Sequence, residues 1–268
     1  MRRILLFAAC AAILGTLPAS AAGIERLYIL DCGNISAPDQ SRWSPGVNVG
    51  VPIELSDNCY LIRHSQGWFL WDTGLSDSVA AQPDGIKSSN GFLLKRKKTL
   101  AGQLGELGVK PSDIKGVAVS HTHPDHIGNV ELFPQVMLYV QKAEYEWPSA
   151  EGAPRFKPGH PVTKLEGDHD IFGDGSVVLI STPGHTPGHQ SLLVRLPKTG
   201  PVVLSGDAAH FKDNWEHRRV PPFNTSREQS LASMQRIADI LAKEHAQFWI
   251  NHDKPQSDAQ KKSPEFYE

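Results

Sequence analysis

The densest group of metal-ligating residue types in the chain is the segment from His121 to Asn129, which reads HTHPDHIGN. It offers three imidazoles and one carboxylate within six residues, and each is a good ligand for a borderline divalent cation. In an extended loop His121 and His123 point the same way, whereas Asp125 and His126 can diverge toward a second point. The spacing therefore predicts one loop that serves two metal ions. The alternative is a histidine-rich surface loop.

The remaining ligands must come from elsewhere, because each metal needs roughly three or four protein ligands. Three short apolar runs that we interpret as buried strands lead to His185, Asp207 and His252. The HTHPDH segment also follows an apolar run, residues 114–120, and Pro124 suits the first turn of a helix. Loops at strand ends build the sites of layered α/β proteins, so four strand ends are predicted to meet at one place.

The elements that position these loops are predicted from hydrophobic periodicity. A hairpin is expected from residues 58–63 and 68–71, and a helix from Leu100 to Leu107 with Gly108 as its stop. A second helix is predicted at about 227–243, where an apolar stripe that includes Met234 and Ile237 indicates core packing. Further strands are predicted at 27–30, 137–140, 177–181, 190–196, 201–205 and 247–250.

A long segment without a strand or helix pattern is predicted at residues 33–52. It is rich in Ser, Pro, Gly and Asn and carries Trp43, an exposed-looking aromatic residue. Such a segment is either disordered or a lid over a site.

The motif HTHPDHIGN, followed by TPGHTPGH, SGDAAH and a late NHD, resembles the metallo-β-lactamase superfamily of hydrolases. The segments NCYLIRH, WDTG, GHQSLLV, NTSREQSLASMQRI and KKSPEFYE resemble its N-acyl-homoserine lactonase branch, the quorum-quenching enzymes. This resemblance covers nearly all of the chain after residue 22. It implies an α/β fold, the four-layer αβ/βα sandwich, with the site at one edge of two packed sheets.

The resemblance implies two divalent metal ions per chain, zinc first, with iron, cobalt or manganese as alternatives. One ion would be held by His121, His123 and His185. The other would be held by Asp125, His126 and His252. Asp207 would bridge the two, and its shared carboxylate would neutralise part of their charge.

Two further residues of the motifs are interpreted as supports. His189 competes with His185 as a ligand in TPGHTPGH and is interpreted as a structural hydrogen-bonding residue. Asp72 in WDTG is interpreted as a carboxylate that orients a ligand.

The implied reaction is opening of the lactone ring of N-acyl-homoserine lactones by a metal-bridging hydroxide. Asp125 would carry a proton to the leaving alkoxide. His210 stands where related lactonases have a tyrosine three residues after the bridging aspartate. It is expected either to donate a hydrogen bond to the carbonyl oxygen of the substrate or to point away. The loop aromatics that are candidates to line an apolar trough for the acyl chain are Trp43, Phe92, Trp147, Phe156, Phe211 and Trp215.

Several other functions of the same fold stay open. Among hydrolases these are a thioesterase of the glyoxalase II type, a β-lactamase and an organophosphate hydrolase. A β-lactamase usually lacks an aspartate corresponding to Asp207, and a glyoxalase II would want a basic patch near its C-terminal helices that the sequence does not display. From other classes, a mononuclear-iron oxygenase and a non-catalytic periplasmic zinc-binding protein remain.

The first 22 residues have the pattern of a signal peptide: two arginines, an apolar stretch and a small-residue end. Cleavage is expected near Ala21 or Ala22, with a single domain at 23–268 exported to a bacterial periplasm or beyond. The apolar stretch is too short to span a bilayer, so no membrane span is expected after cleavage.

The charge balance bears on the partners. A net charge of −2, with Lys95–Lys98 as the only basic run, argues against nucleic-acid binding. The expected partner is a small acyl-lactone, with a homodimer as an option. Cys32 and Cys59 lie in apolar strand-like runs and are interpreted as two buried thiols. A disulfide is the alternative that an oxidising compartment permits.

Overall fold

The computed structural model describes residues 23–149 and 155–268, and the predicted signal peptide at 1–22 lies outside the described residues. Within these ranges the strands form an eight-stranded and a five-stranded sheet. In chain order the strands are β1 (Ile24–Ala37), β2 (Ile53–His64), β3 (Gly67–Trp71), β4 (Ile86–Lys87), β5 (Leu93–Lys95), β6 (Ile114–Ala118), β7 (Met137–Gln141), β8 (Val162–Leu165), β9 (His169–Asp170), β10 (Val177–Ser181), β11 (Gln190–Leu196), β12 (Gly200–Leu204) and β13 (Gln247–Trp249). The α-helices are α1 (Leu100–Glu106), α2 (Pro124–Ile127), α3 (Lys142–Tyr145), α4 (Lys212–Glu216), α5 (Arg227–Glu244) and α6 (Lys254–Ala259).

The first sheet has the order β4-β5-β1-β2-β3-β6-β7-β8, and the second has the order β13-β12-β11-β10-β9. Strands β3, β6, β7 and β8 run parallel to one another, and β12 runs parallel to β13. The carboxyl ends of parallel strands meet at the same edge of a sheet. The loops after β6, β12 and β13 carry predicted ligands, so the sheets themselves deliver those ligands to one edge of the molecule.

The two sheets pack face to face through alternating apolar side chains. On β11, Leu192, Val194 and Leu196 enter the core shared by both sheets, whereas Leu193 lies in a second cluster with Ile237 of α5. On the far side of the first sheet, Leu100 and other apolar residues of α1 pack against the strands. Burying both faces of each sheet gives the predicted four-layer αβ/βα sandwich, which is confirmed.

Helix α5 forms where its stripe predicts it. The Ser226 side chain caps its first turn by accepting a hydrogen bond from the Gln229 backbone N–H, and Met234 and Ile237 are buried. No helix in the described part of the chain is long and apolar enough to cross a membrane.

The segment 33–52 differs from its prediction. Strand β1 continues to Ala37, and the Asp39 carboxylate then accepts hydrogen bonds from the backbone N–H groups of Ser41 and Gly50, which closes the loop on itself. Trp43 is 5 % exposed, because its ring stacks on Phe92. The expectations of disorder and of an exposed Trp43 are therefore wrong. The alternative, a segment placed over a site, agrees with the cavity described below.

Cys32 of β1 and Cys59 of β2 form a disulfide, with their Cα atoms 5.7 Å apart. The interpretation of two buried thiols is thus wrong. The antiparallel pairing of β1 with β2 brings the two residues together, and a bulge between Asp31 and Gly33 sets which side chains meet. Such a register cannot be derived from the spacing of the two cysteines.

We expect the double variant Cys32→Ala/Cys59→Ala to lose about 3.5 kcal/mol of unfolding free energy, the chain-entropy value for a loop of this size. The bridge joins residues 27 positions apart, so its loss increases the conformational entropy of the unfolded chain more than that of the folded one. Urea denaturation of the oxidised wild type against the variant measures the difference. Reduced wild type is the control and should unfold near the variant. Identical midpoints for all three samples would contradict a stabilising bridge.

Candidate metal centre

The first group of candidate ligands is His121, His123, His185 and Asp207. Nε2 of His121 lies 2.9 Å from Nδ1 of His123, and Nε2 of His185 lies 3.2 and 3.0 Å from these two atoms. Oδ2 of Asp207 lies 3.3 Å from Nε2 of His185. Loops after β6, β10 and β12 supply these side chains, which converge on one point as predicted.

The second group is Asp125, His126 and His252. Oδ1 of Asp207 lies 3.3 Å from Nε2 of His126 and 3.1 Å from Nε2 of His252. Oδ2 of Asp125 completes the group at 4.0 and 3.8 Å from the same two nitrogens. Asp207 therefore turns one carboxylate oxygen toward each group, which is the geometry of a bridging ligand.

The donor atoms fit metal ions. Tetrahedral bonds of about 2.0–2.1 Å to a shared ion place ligand atoms about 3.3 Å apart. Most separations in the first group are close to this value, while Asp125 of the second group lies 3.8 and 4.0 Å from its partners. Nε2 of His126 and Oδ1 of Asp207 are buried and have no hydrogen-bond partner among the described residues, although they are only 3.3 Å apart. Buried polar atoms are normally satisfied, and a cation between these two would satisfy both.

The electrostatics of the cluster also favour cations. Burial lowers the pKa values of His121 and His185 well below the ordinary value, so both present neutral lone pairs. Burial would raise the pKa of Asp207, yet His252 and His126 hold it well below its usual range. Burial would lower the pKa of His252, but the nearby carboxylates, Asp207 first, raise it to about 9. The neutral lone pairs of His121 and His185, and a negative charge on Asp207 strong enough to hold a proton on His252, both favour a cation here.

The other nitrogen of several imidazoles is fixed by a hydrogen bond. Nδ1 of His126 donates to Asp72 at 2.9 Å, which agrees with the orienting role predicted for Asp72. Nδ1 of His252 donates to the carbonyl oxygen of Ser56 at 2.6 Å, and Nδ1 of His185 donates to Asn224 at 2.9 Å. These bonds turn Nε2 toward the centre, and in the neutral ring, the form that binds a metal, they leave the lone pair on that nitrogen. Ser56 and Asn224 were missed, because a lone Ser or Asn in a loop carries no spacing signal.

His189 has the structural role predicted for it. Its Nε2 accepts a hydrogen bond from the backbone N–H of Asp207 at 2.8 Å, and its Nδ1 donates to the carbonyl oxygen of Thr182 at 2.9 Å. Burial lowers its pKa to about 4, so the ring is neutral and both nitrogens are already used. His189 thus holds the bridging aspartate through the backbone and is not itself in either ligand group.

Glu144 of α3 is a further support that the sequence did not reveal. Its fully buried carboxylate accepts hydrogen bonds from the N–H and hydroxyl of Thr122 at 2.8 and 2.7 Å, and from the N–H of Gly188 at 3.0 Å. A Cβ added at Gly188 would lie 2.2 Å from the Glu144 backbone nitrogen, so this close approach requires glycine. Glu144 therefore ties the loop of His121 and His123 to the loop after β10.

We expect Glu144→Gln to weaken metal binding at the first group by about 10- to 100-fold, the usual effect of losing a partner that orients ligands. The amide NH₂ would face an N–H donor where the carboxylate now accepts. Metal content after dialysis against graded chelator measures the loss. Glu146→Gln, an exposed substitution two residues along, is the matched control and should retain metal. Equal retention in both variants would show that Glu144 serves packing alone.

A cavity of about 350 Å³ opens above the centre. Its floor holds Asp125, Asp207 and His210, and its walls are mostly apolar: Ile35, Trp43, Leu55, Leu75, Phe92, Leu94 and Phe223. Of the predicted lining aromatics, Trp43 and Phe92 are confirmed.

The other four candidate aromatics do not line the cavity. Phe156, Phe211 and Trp215 pack in hydrophobic clusters of the protein, and Trp147 lies under the Arg155 guanidinium outside the cavity lining. Phe223 was missed, because an aromatic residue before the α5 cap has no distinguishing pattern.

His210 lies against the centre. Its Nε2 is 3.2 Å from Oδ2 of Asp207, and its ring lies 6.1 Å from the Trp43 ring and 5.9 Å from the Phe223 ring. Of the two expectations for His210, pointing away is therefore wrong. The side chain stands between the bridging carboxylate and the apolar wall.

An αβ/βα sandwich with two histidine groups sharing one aspartate, at the carboxyl edge of its sheets, is the arrangement of a metal-dependent hydrolase. The chain belongs to the metallo-β-lactamase superfamily, because the sequence model with that description matches residues 53–244.

Curated relatives extend the similarity along most of the chain. An N-acyl homoserine lactonase, AttM, from Rhizobium radiobacter is 34% identical over 262 residues, covering 90% of this chain and 98% of that protein. An N-acyl homoserine lactonase from Bacillus sp is 32% identical over 254 residues, covering 91% and 99%. The solved structure of an N-acyl homoserine lactone hydrolase, with the product N-hexanoyl-L-homoserine at its catalytic metal centre, has a TM-score of 0.81 and 28% identity, covering 91% of this chain and 99% of that chain.

Proposed function

We propose that the protein hydrolyses the lactone ring of N-acyl-homoserine lactones and so quenches quorum signals. The observation that carries the proposal is the pair of ligand groups joined by Asp207 beneath an apolar cavity. A reactive ester at the centre and an acyl chain against the wall match the two halves of such a substrate. The similarity to lactonases over about nine-tenths of the chain supports the same substrate class.

When bound, two divalent ions would lower the pKa of a shared water and polarise the lactone carbonyl. The seven residues of the two groups would hold them, and Asp207 would offset part of their charge. Asp125 is 22 % exposed at its side chain and lines the cavity, so it can accept a proton and return it to the leaving alkoxide. His210 can donate an N–H to the carbonyl oxygen as charge develops there. The Trp43 and Phe92 rings exclude water around the acyl chain.

Zinc is the metal that this donor set favours, since imidazole and carboxylate ligands at tetrahedral spacing suit it best. The protein is exported to the periplasm or beyond. The disulfide between Cys32 and Cys59 supports this location, because such bonds persist in oxidising compartments, and the leader pattern at residues 1–22 agrees with it. A homodimer stays a prediction.

The test is a substrate panel assayed with zinc-loaded protein lacking residues 1–22. Acyl-homoserine lactones of short and long chain should be opened with kcat/KM at least about 10² above a thioester, a β-lactam and a phosphotriester, the discrimination expected of a site built for one ester. Proton release at constant pH measures every substrate in the same way. A thioester or a phosphotriester that is turned over faster than any lactone would replace the proposal.

A further inference from the structure

Exposed apolar side chains are concentrated around the entrance of the cavity. Five large apolar residues are exposed in the described part of the chain, namely Val49, Val51, Ile86, Tyr145 and Phe223. Four of them lie in three segments that build the entrance, and only Tyr145 lies elsewhere. Val49 is 69 % exposed, which is far from the burial that an aliphatic side chain normally seeks. Clustered exposure of this kind marks an interaction surface.

The three segments contact one another at Trp43. The first is the loop 39–51, which is closed by a hydrogen bond from the Gln40 N–H to the Val51 carbonyl oxygen. The second is the β4–β5 hairpin, where Phe92 stacks on Trp43 and Ile86 pairs with Leu94, a residue of the cavity wall. The third is the loop before α5, where Phe223 meets the Trp43 ring edge-on. We call these three segments the entrance rim.

The rim is basic, although the whole chain carries a net charge of −2. The β4–β5 hairpin itself, residues 86–95, contains Lys87 and Lys95 and no acidic residue. Lys87 and Lys95 are both exposed. Of the basic residues that follow, Arg96 is buried beside Asp77, and Lys98 pairs with Glu106. The guanidinium of Arg42 lies over the Phe92 ring, 4.7 Å from its centroid, in the cavity lining itself.

From this arrangement we infer that the entrance rim docks on an anionic phospholipid surface. Exposed aliphatic and aromatic side chains beside lysines are the combination that binds the boundary between lipid headgroups and acyl chains. The apolar residues would enter the interface, and the flanking lysines would meet anionic headgroups. The cavity would then open toward the lipid.

A second copy of the chain fits the rim less well. A two-fold contact places the same surface on both partners, so a contact through the hairpin would bring the lysines of two copies together. Like charges held in one interface are repulsive, whereas an anionic bilayer complements them.

The docking has a consequence for substrate supply, which rests on the proposed function. Lactones with long acyl chains partition into bilayers, because each buried CH₂ contributes about 0.8 kcal/mol. An enzyme held with its cavity against the lipid would take such substrates from the membrane, while short, water-soluble lactones would reach it by diffusion.

The test is flotation of the protein lacking residues 1–22 with vesicles of phosphatidylglycerol and phosphatidylcholine, and with phosphatidylcholine vesicles alone. We expect binding to the anionic vesicles that weakens in about 0.5 M NaCl, because salt screens the lysines. Lys87→Gln/Lys95→Gln should weaken vesicle binding by about fivefold for each lysine removed. Val49→Asp/Ile86→Asp should weaken it by about tenfold or more, by removing the inserted side chains.

Tyr145→Asp is the control for an added aspartate, since Tyr145 is the one exposed apolar residue outside the rim among the described residues. It should bind vesicles like wild type. Melting temperatures show whether each variant is folded. If one of the two rim variants does not fold, the other still provides the test. Equal vesicle binding by wild type and both rim variants would overturn the inference. So would a wild-type dimer in sedimentation that Val49→Asp/Ile86→Asp dissociates with no change in vesicle binding. Failure to open any lactone would refute the proposed function but leave the vesicle result standing.

Discussion

Asp207→Asn is expected to strip metal from the centre and to lower kcat/KM by about 10³ or more. The carboxylate gives one oxygen to each ligand group, and it lies within 3.3 Å of nitrogens on His126, His185 and His252. An amide can offer only one neutral oxygen, so two neighbouring dications would lose their shared charge compensation. The metals supply several kcal/mol of transition-state stabilisation, which corresponds to the rate loss stated.

Metal content by mass spectrometry and lactone turnover, measured on the same sample, test this expectation. Asp253→Asn is the matched control, because Asp253 follows His252 but accepts hydrogen bonds from the backbone of Lys212 and Gln256 instead of joining a ligand group. It should keep both metals and lose about 1 kcal/mol of stability, because an amide can accept only one of these two N–H hydrogen bonds. An Asp207→Asn protein that retains two ions and full turnover would show that the ligand assignment is wrong.

His210→Phe is expected to keep the metals and to lower kcat by about 10²–10³, the range for losing one donor to a developing oxyanion. The imidazole lies beside Asp207 at the base of the cavity, while phenylalanine preserves the ring contacts with Trp43 and Phe223. His210→Tyr should restore most of the rate by supplying a hydroxyl donor. A loss in the Phe variant with rescue by Tyr separates donation from packing.

The measurement is kcat for a short and a long acyl-homoserine lactone in wild type, His210→Phe and His210→Tyr, with metal content checked in each. The reduction should be similar for both substrates, because the carbonyl is common to them. Unchanged kcat in the Phe variant would leave polarisation of the carbonyl to the metals alone.

The candidate ligands could be predicted because each is marked by its local sequence, whereas their division into two groups was implied by the resemblance to the family. His121, His123, Asp125 and His126 are neighbours in the chain, and the other candidates each follow a short apolar run that forms a strand. The strand patterns also predict the fold, because a sheet that is apolar on both faces needs the other sheet on one face and helices on the other. Local periodicity and spacing are thus enough where the information lies within a few residues.

What the sequence could not provide depends on contacts between distant residues. The disulfide follows from the β1–β2 register, and the burial of Trp43 follows from the hairpin that carries Phe92. Glu144 and Asn224 act on loops 22 and 39 residues away in the chain. No pattern around either residue distinguishes it from an ordinary surface glutamate or loop asparagine.

The scattered origin of the ligands decides when the protein can acquire its metals. His121 and His252 lie at the ends of strands in different sheets, so neither ligand group exists until both sheets have packed. The unfolded chain therefore lacks the assembled metal site, and the free energy of metal binding adds to the free energy of folding. If the chain folds after export, as proposed above, the ions available in that compartment select the metal that the finished protein carries.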